Sequence, residues 1–305
     1  MRIRFAIPLL LCAFSCAKTG ESEDVYVERI VISIPEVSDG DLVQTRTDLT
    51  YQNSKVTLTW EEADTLGISP ILGSQIYMSM QDGVGQSSAY FDGGAWALRK
   101  GETYYAYFPF YGSIYLDNTK VPFSFERQKQ KGTTYPLPAA SFALCCKGES
   151  SGNGSTQTFN MIMLNTILNV VATLPPGEYT RMEMVLEEPL FALKAIADIT
   201  SATPALVGKK MSKTLAIDLE DVILEETSTI PVFFLTAPLD LTGKKMVVYA
   251  YTSDGRLYAC EKTLSREYLA GKRYGFTCNS FEEVTGLQLN VSGWNSSEPE
   301  SGIAE

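Results

Sequence analysis

Hydrophobic patterns typical of β-strands follow one another along almost the whole chain. Strict alternation of apolar and polar residues predicts half-buried strands at 56–60 (VTLTW), 121–125 (VPFSF) and 215–219 (LAIDL). Longer apolar runs predict strands buried on both faces, and they lie at 104–111, 160–174, 230–236 and 246–251. Turn clusters separate these runs, and sustained helical periodicity is almost absent. The pattern predicts an all-β protein built from β-sandwiches.

Two short segments carry more specific predictions. The sequence Ser-Asp-Gly-Arg at 253–256 stands between Tyr251 and Leu257, which is typical of a β-hairpin. Residues 265–270 form the one segment in which we expect a short helical turn.

The opening strand-like segment, 25–34 (VYVERIVISI), is unusually apolar. Alternation places Tyr26, Ile30, Ile32 and Ile34 on one face, and Val25, Val27 and Val31 on the other. Such a strand has to be buried against a sheet. A polar stretch without strand pattern follows at 35–53 and contains Arg46, whereas Arg29 lies inside the strand, where we expect it to be shielded from proteases.

Length and composition limit the possible functions. The 305 residues exceed one core of usual size, so two domains are expected. A formal net charge of −11 argues against nucleic acid as a partner, because phosphate binding needs clustered basic residues. The chain has no histidine, which excludes Ser-His-Asp and Cys-His catalysis and the common zinc sites. We expect no catalytic residue, no metal site and no cofactor.

The boundary between the two domains is predicted in the Gly- and Ser-rich segment 148–157 (GESSGNGSTQ). This gives an N-terminal β-sandwich over 25–152 and a C-terminal β-sandwich over 153–305. The alternative is a long hairpin loop inside one domain.

The first residues predict export and a lipid anchor. Two arginines precede a short apolar core, which is typical of a secretory signal peptide over 1–15. Ala-Phe-Ser-Cys at 13–16 resembles a bacterial lipobox, which makes Cys16 the predicted lipid attachment site. Residues 16–24 then form a polar tether, and its acidic residues resemble the signal that sends some lipoproteins to the outer face of the cell. Cleavage without lipidation is the alternative.

Three further groups of residues allow competing interpretations. Cys145 and Cys146 are adjacent and unsuited to pairing with each other, whereas Cys260 and Cys278 lie on segments that could be neighbouring strands joined by a disulfide; all four could equally be buried thiols. The aromatic cluster at 104–111 is either a sugar-stacking platform or, as we expect, core. The four Glu-Glu pairs suit solvated faces better than a glycosidase couple; they lie at 61–62, 187–188, 225–226 and 282–283.

Several sequence blocks resemble the fimbrillin family. Residues 60–68 (WEEADTLGI) resemble its W-x-x-x-D-x-[IL]-G-[IV] segment, and 104–110 (YYAYFPF) resemble its Y-x-A-Y-x-P-Y strand. The C-terminal signature is matched by 230–238 (IPVFFLTAP) with Gly243-Lys244, and the closing strand by 269–276 (LAGKRYGF). Trp294 stands where that family often ends with an isolated tryptophan. The blocks occur in the family's order.

This resemblance implies two tandem transthyretin-like β-sandwich domains in a structural subunit of a cell-surface fimbrium that serves adhesion. The precursor would be an outer-membrane lipoprotein held by its lipid on Cys16. An extracellular trypsin-like protease would cut between Arg46 and Thr47, and the opened groove would accept a strand from another fimbrial subunit. The exchangeable first strand would comprise Val25, Tyr26, Val27, Ile30, Val31, Ile32 and Ile34.

The position in the fibre stays open. Residues 286–291 (GLQLNV) are either a donor strand or the last strand of the second domain, and the polar tail after Trp294 slightly favours a tip subunit over a stalk subunit. A permanently lipidated anchor subunit is the third possibility. The rival outside this class is a monomeric outer-membrane lipoprotein that binds glycans, for which Trp96 is the best candidate contact.

Overall fold

The computed structural model describes residues 26–27, 29–35, 37–39, 58–70, 75–93, 98–111, 119–133, 137–138, 142–149 and 156–285. All regular structure in these ranges is β-strand, and none of their residues lies in a helix. The all-β prediction is confirmed.

The largest sheet has eight strands. They are β1 (Arg29–Ser33), β4 (Thr65–Pro70), β5 (Ile76–Asp82), β6 (Ser88–Asp92), β7 (Thr103–Phe108), β11 (Leu144–Glu149), β12 (Thr156–Asn160) and β13 (Ile162–Met163). Their order is β12-β1-β6-β5-β4-β7-β11-β13. Every pair is antiparallel except β1 with β12, which run parallel.

The second half of the chain contributes most of two further large sheets. A four-stranded sheet has the order β19-β14-β24-β2, with β2 (Ser38–Asp39), β14 (Thr166–Leu174), β19 (Ser228–Thr236) and β24 (Lys272–Cys278). A six-stranded sheet has the order β25-β22-β21-β15-β18-β9, with β9 (Gln128–Lys131), β15 (Gly177–Leu186), β18 (Thr214–Leu224), β21 (Lys245–Thr252), β22 (Leu257–Thr263) and β25 (Glu282–Glu283).

Three small sheets complete the described part of the chain. One has the order β17-β16-β8, formed by β8 (Lys120–Ser124), β16 (Phe191–Asp198) and β17 (Leu206–Ser212). The two others are pairs: β3 (Leu58–Thr59) with β10 (Leu137–Pro138), and β20 (Leu239–Asp240) with β23 (Glu267–Tyr268).

The buried apolar side chains form two clusters, and strand β19 faces both. Its Phe233 and Leu235 belong to the cluster under the eight-stranded sheet. Its Val232 and Phe234 point the other way, into the cluster between the four- and six-stranded sheets. Because successive side chains of a strand alternate, a strand between two cores has to be apolar throughout. This confirms the prediction that 230–236 is buried on both faces.

The predicted two-sided burial of 246–251 is wrong. In β21 buried and half-buried side chains alternate, with Met246, Val248 and Ala250 facing the second core. The other face is partly open, although it carries apolar residues such as Tyr249.

Strand pairing crosses residue 152, the predicted domain boundary, in both directions. From beyond it, β12 and β13 join the eight-stranded sheet. From before it, β8 pairs with β16, and β9 pairs with β18. These sheets therefore contain strands from both sides of the predicted boundary, because the backbone hydrogen-bonding groups at their edges pair with strands from the other half of the sequence.

The two local predictions have opposite outcomes. The hairpin at 253–256 is confirmed, since Tyr251 pairs with Leu257 and Gly255 has a φ of 87°, a value that glycine adopts without strain. The helical turn at 265–270 is wrong: β23 lies there and pairs with β20, so that tertiary pairing decides its conformation.

Candidate functional site

The opening strand occupies an interior position in the eight-stranded sheet. On one side β1 pairs antiparallel with β6, where Ile32 faces Ala89. On the other side it pairs parallel with β12, where Ile32 faces Phe159. Ile30, Ile32 and Ile34 are buried in the first core, and Val31 on the opposite face is half-buried. The expected alternation is present in this part of the segment.

The start of the segment differs from the expected pattern. The Val27 amide donates a hydrogen bond to the Leu98 carbonyl at 2.8 Å, and Val27 is buried. Tyr26 forms an isolated bridge with Arg99 and is 45% exposed, so it does not share the buried face of Ile30. The regular strand begins at Arg29 because the backbone changes partners before that residue. Val25 lies outside the described residues.

Arg29 is held in the sheet by its backbone while its side chain is exposed. Its main chain is in register with Thr156 of β12, and its guanidinium carbon lies 5.1 Å from the centroid of the Tyr90 ring. A protease needs an extended, unpaired backbone. The pairing of β1 on both sides therefore shields the peptide bonds around Arg29.

Strand β12 depends on β1 for its place in the sheet. Among the described strands, β1 is the only one that forms a ladder with β12. Two further hydrogen bonds hold the end of β1 on its two sides. The Met161 amide, just after β12, donates to the Ser33 carbonyl at 2.9 Å, and the Ile34 amide donates to the Ser87 carbonyl, just before β6, at 2.8 Å. Removing β1 would leave the facing edges of β6 and β12 without their ladders.

The segment that follows β1 contacts a second sheet. Val37 is buried in the first core, and β2 then pairs parallel with β24, with Ser38 beside Lys272 and Asp39 beside Arg273. The short stretch 29–39 therefore contributes one strand to each of two different sheets.

The predicted processing and lipid sites lie outside the described residues. These are Cys16, Arg46 and Thr47, and they stay predictions. Residues 286–291, the alternative donor strand, also lie outside, as do Trp96 and Trp294.

The two N-terminal blocks that resemble fimbrillins meet in the first core. In the β4–β7 pair Gly67 is opposite Tyr107, and a side chain at Gly67 would collide with the Tyr107 ring. Trp60 is fully buried, and its ring lies 5.0 Å from those of Phe91 and Phe108 in edge-on contacts. The blocks thus specify how this core packs.

Asp64, in the first of these blocks, is a buried carboxylate that shapes a turn. Its Oδ2 accepts a hydrogen bond from the Glu61 amide at 2.8 Å, and its own amide donates to the Glu61 carbonyl at 3.0 Å. Desolvation by burial raises the pKa of Asp64 to about 6, although the Glu61 amide opposes the shift.

The two C-terminal blocks that resemble fimbrillins contribute the strands on either side of β14. Block 230–238 contains most of β19, block 269–276 enters β24, and both strands pair with β14. The outer edge of β19 is covered by two side chains that the sequence reasoning missed, Gln128 and Gln130 of β9. The sequence feature that indicates these two residues is the alternation Gln-Lys-Gln-Lys at 128–131, in which both glutamines are buried and both lysines are exposed.

Most of the candidate sugar-stacking aromatic residues lie in the core, and the candidate acidic pairs lie on the surface. Tyr104, Tyr105, Tyr107 and Phe108 are buried, which confirms the prediction of core for most of that cluster. All four Glu-Glu pairs are exposed, and Glu188 forms an ion pair with Lys244 at 2.6 Å.

Within the described ranges no cluster of three potential ligands could hold a metal ion, and no helix there is long and apolar enough to cross a membrane.

Cys145, Cys146, Cys260 and Cys278 are all buried and free. Burial raises the pKa of Cys145 and of Cys146 to about 12. Cys260 and Cys278 do not lie on neighbouring strands of one sheet: β22 belongs to the six-stranded sheet and β24 to the four-stranded one. Both side chains instead point into the second core between those sheets.

Comparison with known proteins shows similarity of fold without close relatives. No family model and no curated protein matches the chain. A protein from Bacteroides uniformis that is assigned to cell adhesion matches with a TM-score of 0.50 at 11% identity, covering 75% of this chain and 94% of that one. Another from Bacteroides ovatus matches with 0.49 at 13%, covering 84% and 95%. A fimbrial protein from Bacteroides ovatus matches with 0.40 at 9%, covering 83% and 49%.

Proposed function

We propose that this chain, whose fold is shared with the Bacteroides uniformis protein assigned to cell adhesion, is a structural and non-enzymatic subunit of a cell-surface fimbrium. It is made as a lipoprotein precursor with its lipid on Cys16, is cut between Arg46 and Thr47, and assembles by strand exchange. The observation that carries the proposal is the position of β1, which pairs on both sides and by itself joins β12 to β6.

The geometry of β1 suits an exchangeable strand. Removing it opens a groove with one edge on β6 and the other on β12, so an incoming strand gains hydrogen bonds on both sides. Ile30, Ile32 and Ile34 point into the first core, so removal of this segment leaves apolar sites at alternate positions along the groove. A donor therefore needs apolar residues at every second position, and other fimbrial subunits are the proposed source.

The energies of holding and ordering β1 are similar in size. Burial of Val27, Ile30, Ile32 and Ile34 contributes about 6–12 kcal/mol as an upper bound, at roughly 1.5–3 kcal/mol for each side chain. Fixing the eight residues 27–34, which carry these side chains, costs about 8–16 kcal/mol in conformational entropy. Burial and ordering nearly cancel, so once its covalent connection is cut β1 is held mainly by its ladder hydrogen bonds, which an incoming strand can replace.

Cleavage after Arg46 would separate the predicted lipid anchor from the rest of the chain. The fragment 16–46 keeps the predicted lipid and β1, whereas 47–305 keeps strands β3 to β25. A head-to-tail contact made by strand donation does not close on itself, so it propagates into a fibre. Residues 286–291 would be the donor in a stalk subunit, and a tip subunit would only accept.

Limited trypsin digestion of the purified chain tests the proposal. We expect one early cut after Arg46, a body of 47–305 that stays folded, and an N-terminal fragment that a synthetic peptide with the sequence of 25–34 displaces. The matched control is Arg46→Gln, which should remain intact under the same conditions. An intact N-terminus with first cuts in 148–157 would contradict processing. Lipidation is tested separately, since Cys16→Ala should lose the acyl mass.

A second candidate function, glycan binding, has one observation in its favour. Tyr77 and Tyr111 are 49% and 52% exposed, and the Tyr77 ring packs edge-on against Phe110 at 5.0 Å. Exposed aromatic faces of this kind can stack on sugars, whereas the buried Trp60 cannot. A glycan screen that loses a signal in Tyr77→Ala, Tyr111→Ala or Trp96→Ala would favour this function. Unchanged binding in all three variants would exclude these contacts.

A further inference from the structure

The second core contains two buried thiols on opposite sheets of the sandwich. Cys260 lies on β22, opposite Val248 of β21, and Cys278 ends β24, opposite Ala172 of β14. The two strands belong to different sheets, and both side chains point into the core between those sheets. The Cys260 thiol also donates to the Glu261 carbonyl at 3.9 Å.

A neighbouring contact holds the two strands together at this point. The Lys262 ammonium donates to the Thr277 carbonyl at 2.7 Å. Lys262 is two residues from Cys260, and Thr277 directly precedes Cys278, so this bond fixes the separation of the strands beside the thiols. The pair is therefore held in place by its surroundings.

We propose that Cys260 and Cys278 form a disulfide that links the two sheets of the C-terminal sandwich. A disulfide requires sulfurs about 2 Å apart and Cα atoms within roughly 7 Å. Both side chains point into one core, and the Lys262–Thr277 bond holds their strands beside each other, so the fold brings the two sulfurs toward each other. The predicted secretory signal would deliver the chain to a compartment in which such bonds persist.

The reaction requires a disulfide-carrying oxidant, for which oxidised glutathione serves as the probe. One cysteine thiolate attacks the oxidant and displaces one glutathione thiolate. The second cysteine then attacks the mixed disulfide and displaces the other. In total the two thiols give up two electrons and two protons, and one oxidised glutathione becomes two reduced molecules.

The bond forms during folding, before the core closes. Both side chains are buried, so a bulky oxidant cannot reach them in the finished protein. Burial, together with the neighbouring Cys260 thiol, raises the pKa of Cys278, so the folded protein contains little of the reactive thiolate. Oxidant should therefore act on the refolding chain and leave the folded, reduced chain almost unchanged.

Cys145 and Cys146 provide an internal control. They are adjacent on β11 and belong to the first core, whereas the proposed pair belongs to the second. A bond between the two groups would have to connect different cores. Only the pairing of Cys260 with Cys278 agrees with the fold.

Peptide mapping tests the proposal, because trypsin places Cys260, Cys278 and the adjacent Cys145 and Cys146 on three different peptides. Cys260 falls in 257–262, Cys278 in 274–305, and Cys145 and Cys146 in 132–147. The reduced, unfolded full chain is refolded with oxidised and reduced glutathione, then blocked with N-ethylmaleimide in denaturant and digested. We expect 257–262 linked to 274–305, about 2 Da lighter than the sum of the two peptides, and 132–147 carrying two maleimides. Maleimide on both single-cysteine peptides, or linkage to 132–147, would overturn the proposal.

Stability provides a second readout. Reductant should lower the urea midpoint of the refolded wild-type chain and of the double variant Cys145→Ala, Cys146→Ala. It should leave the midpoint of Cys260→Ala and of Cys278→Ala unchanged. Each variant is compared with itself, so the loss of a buried side chain cancels. A wild-type midpoint that does not respond to reductant would contradict a stabilising bond.

Discussion

The side-chain amide of Gln128 forms two hydrogen bonds with the main chain of Leu235. Its Nε2 donates to the Leu235 carbonyl at 2.8 Å, and its Oε1 accepts from the Leu235 amide at 2.7 Å. Gln130 repeats the arrangement one step along, donating to the Pro231 carbonyl and accepting from the Phe233 amide. Two side chains of β9 thus take the place of a neighbouring strand along the outer edge of β19.

Replacing these glutamines should destabilise the protein and open an edge. Gln128→Leu and Gln130→Leu each leave a buried amide and a buried carbonyl without partners, which costs about 1–3 kcal/mol per unsatisfied group. The exposed edge of β19 should also promote self-association. Urea unfolding and size-exclusion chromatography measure the two effects.

Lys129→Ala is the matched control, since Lys129 lies between the glutamines on the exposed face and forms a surface ion pair with Glu220 at 2.8 Å. It should change stability little and leave the elution volume the same as that of the wild type. Equal effects in all three variants would show that the glutamine contacts do not matter.

Stability should fall as the pH rises through the titration of Asp64. Its pKa of about 6 in the folded chain exceeds the value of about 4 expected when unfolded. The folded state therefore binds this proton more tightly, and stability decreases between about pH 4 and pH 6 and is then level. With partial solvent screening, the change is on the order of 1–2 kcal/mol.

Asp64→Asn removes the titration and keeps an acceptor for the Glu61 amide. The difference in unfolding free energy between wild type and variant, measured at several pH values from 4 to 7, isolates the contribution of Asp64. A difference that does not vary with pH would refute a raised pKa.

Gly67→Ala should be poorly tolerated. The added methyl group would collide with the Tyr107 ring in the β4–β7 pair, and overpacking of this kind typically costs about 1–3 kcal/mol. Gly177→Ala is the milder control, because the nearest atoms there, the end of the Arg256 side chain and the Thr252 methyl group, lie farther away, at 3.3 Å. Thermal unfolding should separate the two variants, and a similar midpoint for both would show that the Tyr107 ring moves aside without cost.

Ile32→Ala should weaken retention of the first strand. Ile32 is fully buried between Ala89 and Phe159, so its truncation costs about 2–5 kcal/mol, whereas Val31→Ala on the half-buried face costs less. After trypsin treatment, the N-terminal fragment of wild type and of Val31→Ala should co-elute with the body, and that of Ile32→Ala should separate. Retention of all three fragments would mean that other contacts hold β1.

The sequence determined the features that depend on neighbouring residues. Alternation predicted the buried isoleucines of the opening strand, and the Ser-Asp-Gly-Arg segment predicted the hairpin that joins β21 to β22. The succession of strand patterns and turn clusters predicted a protein made of strands. These features can be read from the chain because the period of a strand and the φ preference of glycine are local properties.

Only the tertiary structure decided which strands pair. β1 pairs with β12, which lies more than a hundred residues away, and the Gln128 amide reaches Leu235. Cys260 and Cys278 face one core from two sheets instead of lying along one sheet. The sequence could not show these partners, because an apolar face and an open backbone edge can be satisfied by many strands. The choice among them depends on how all the sheets pack together.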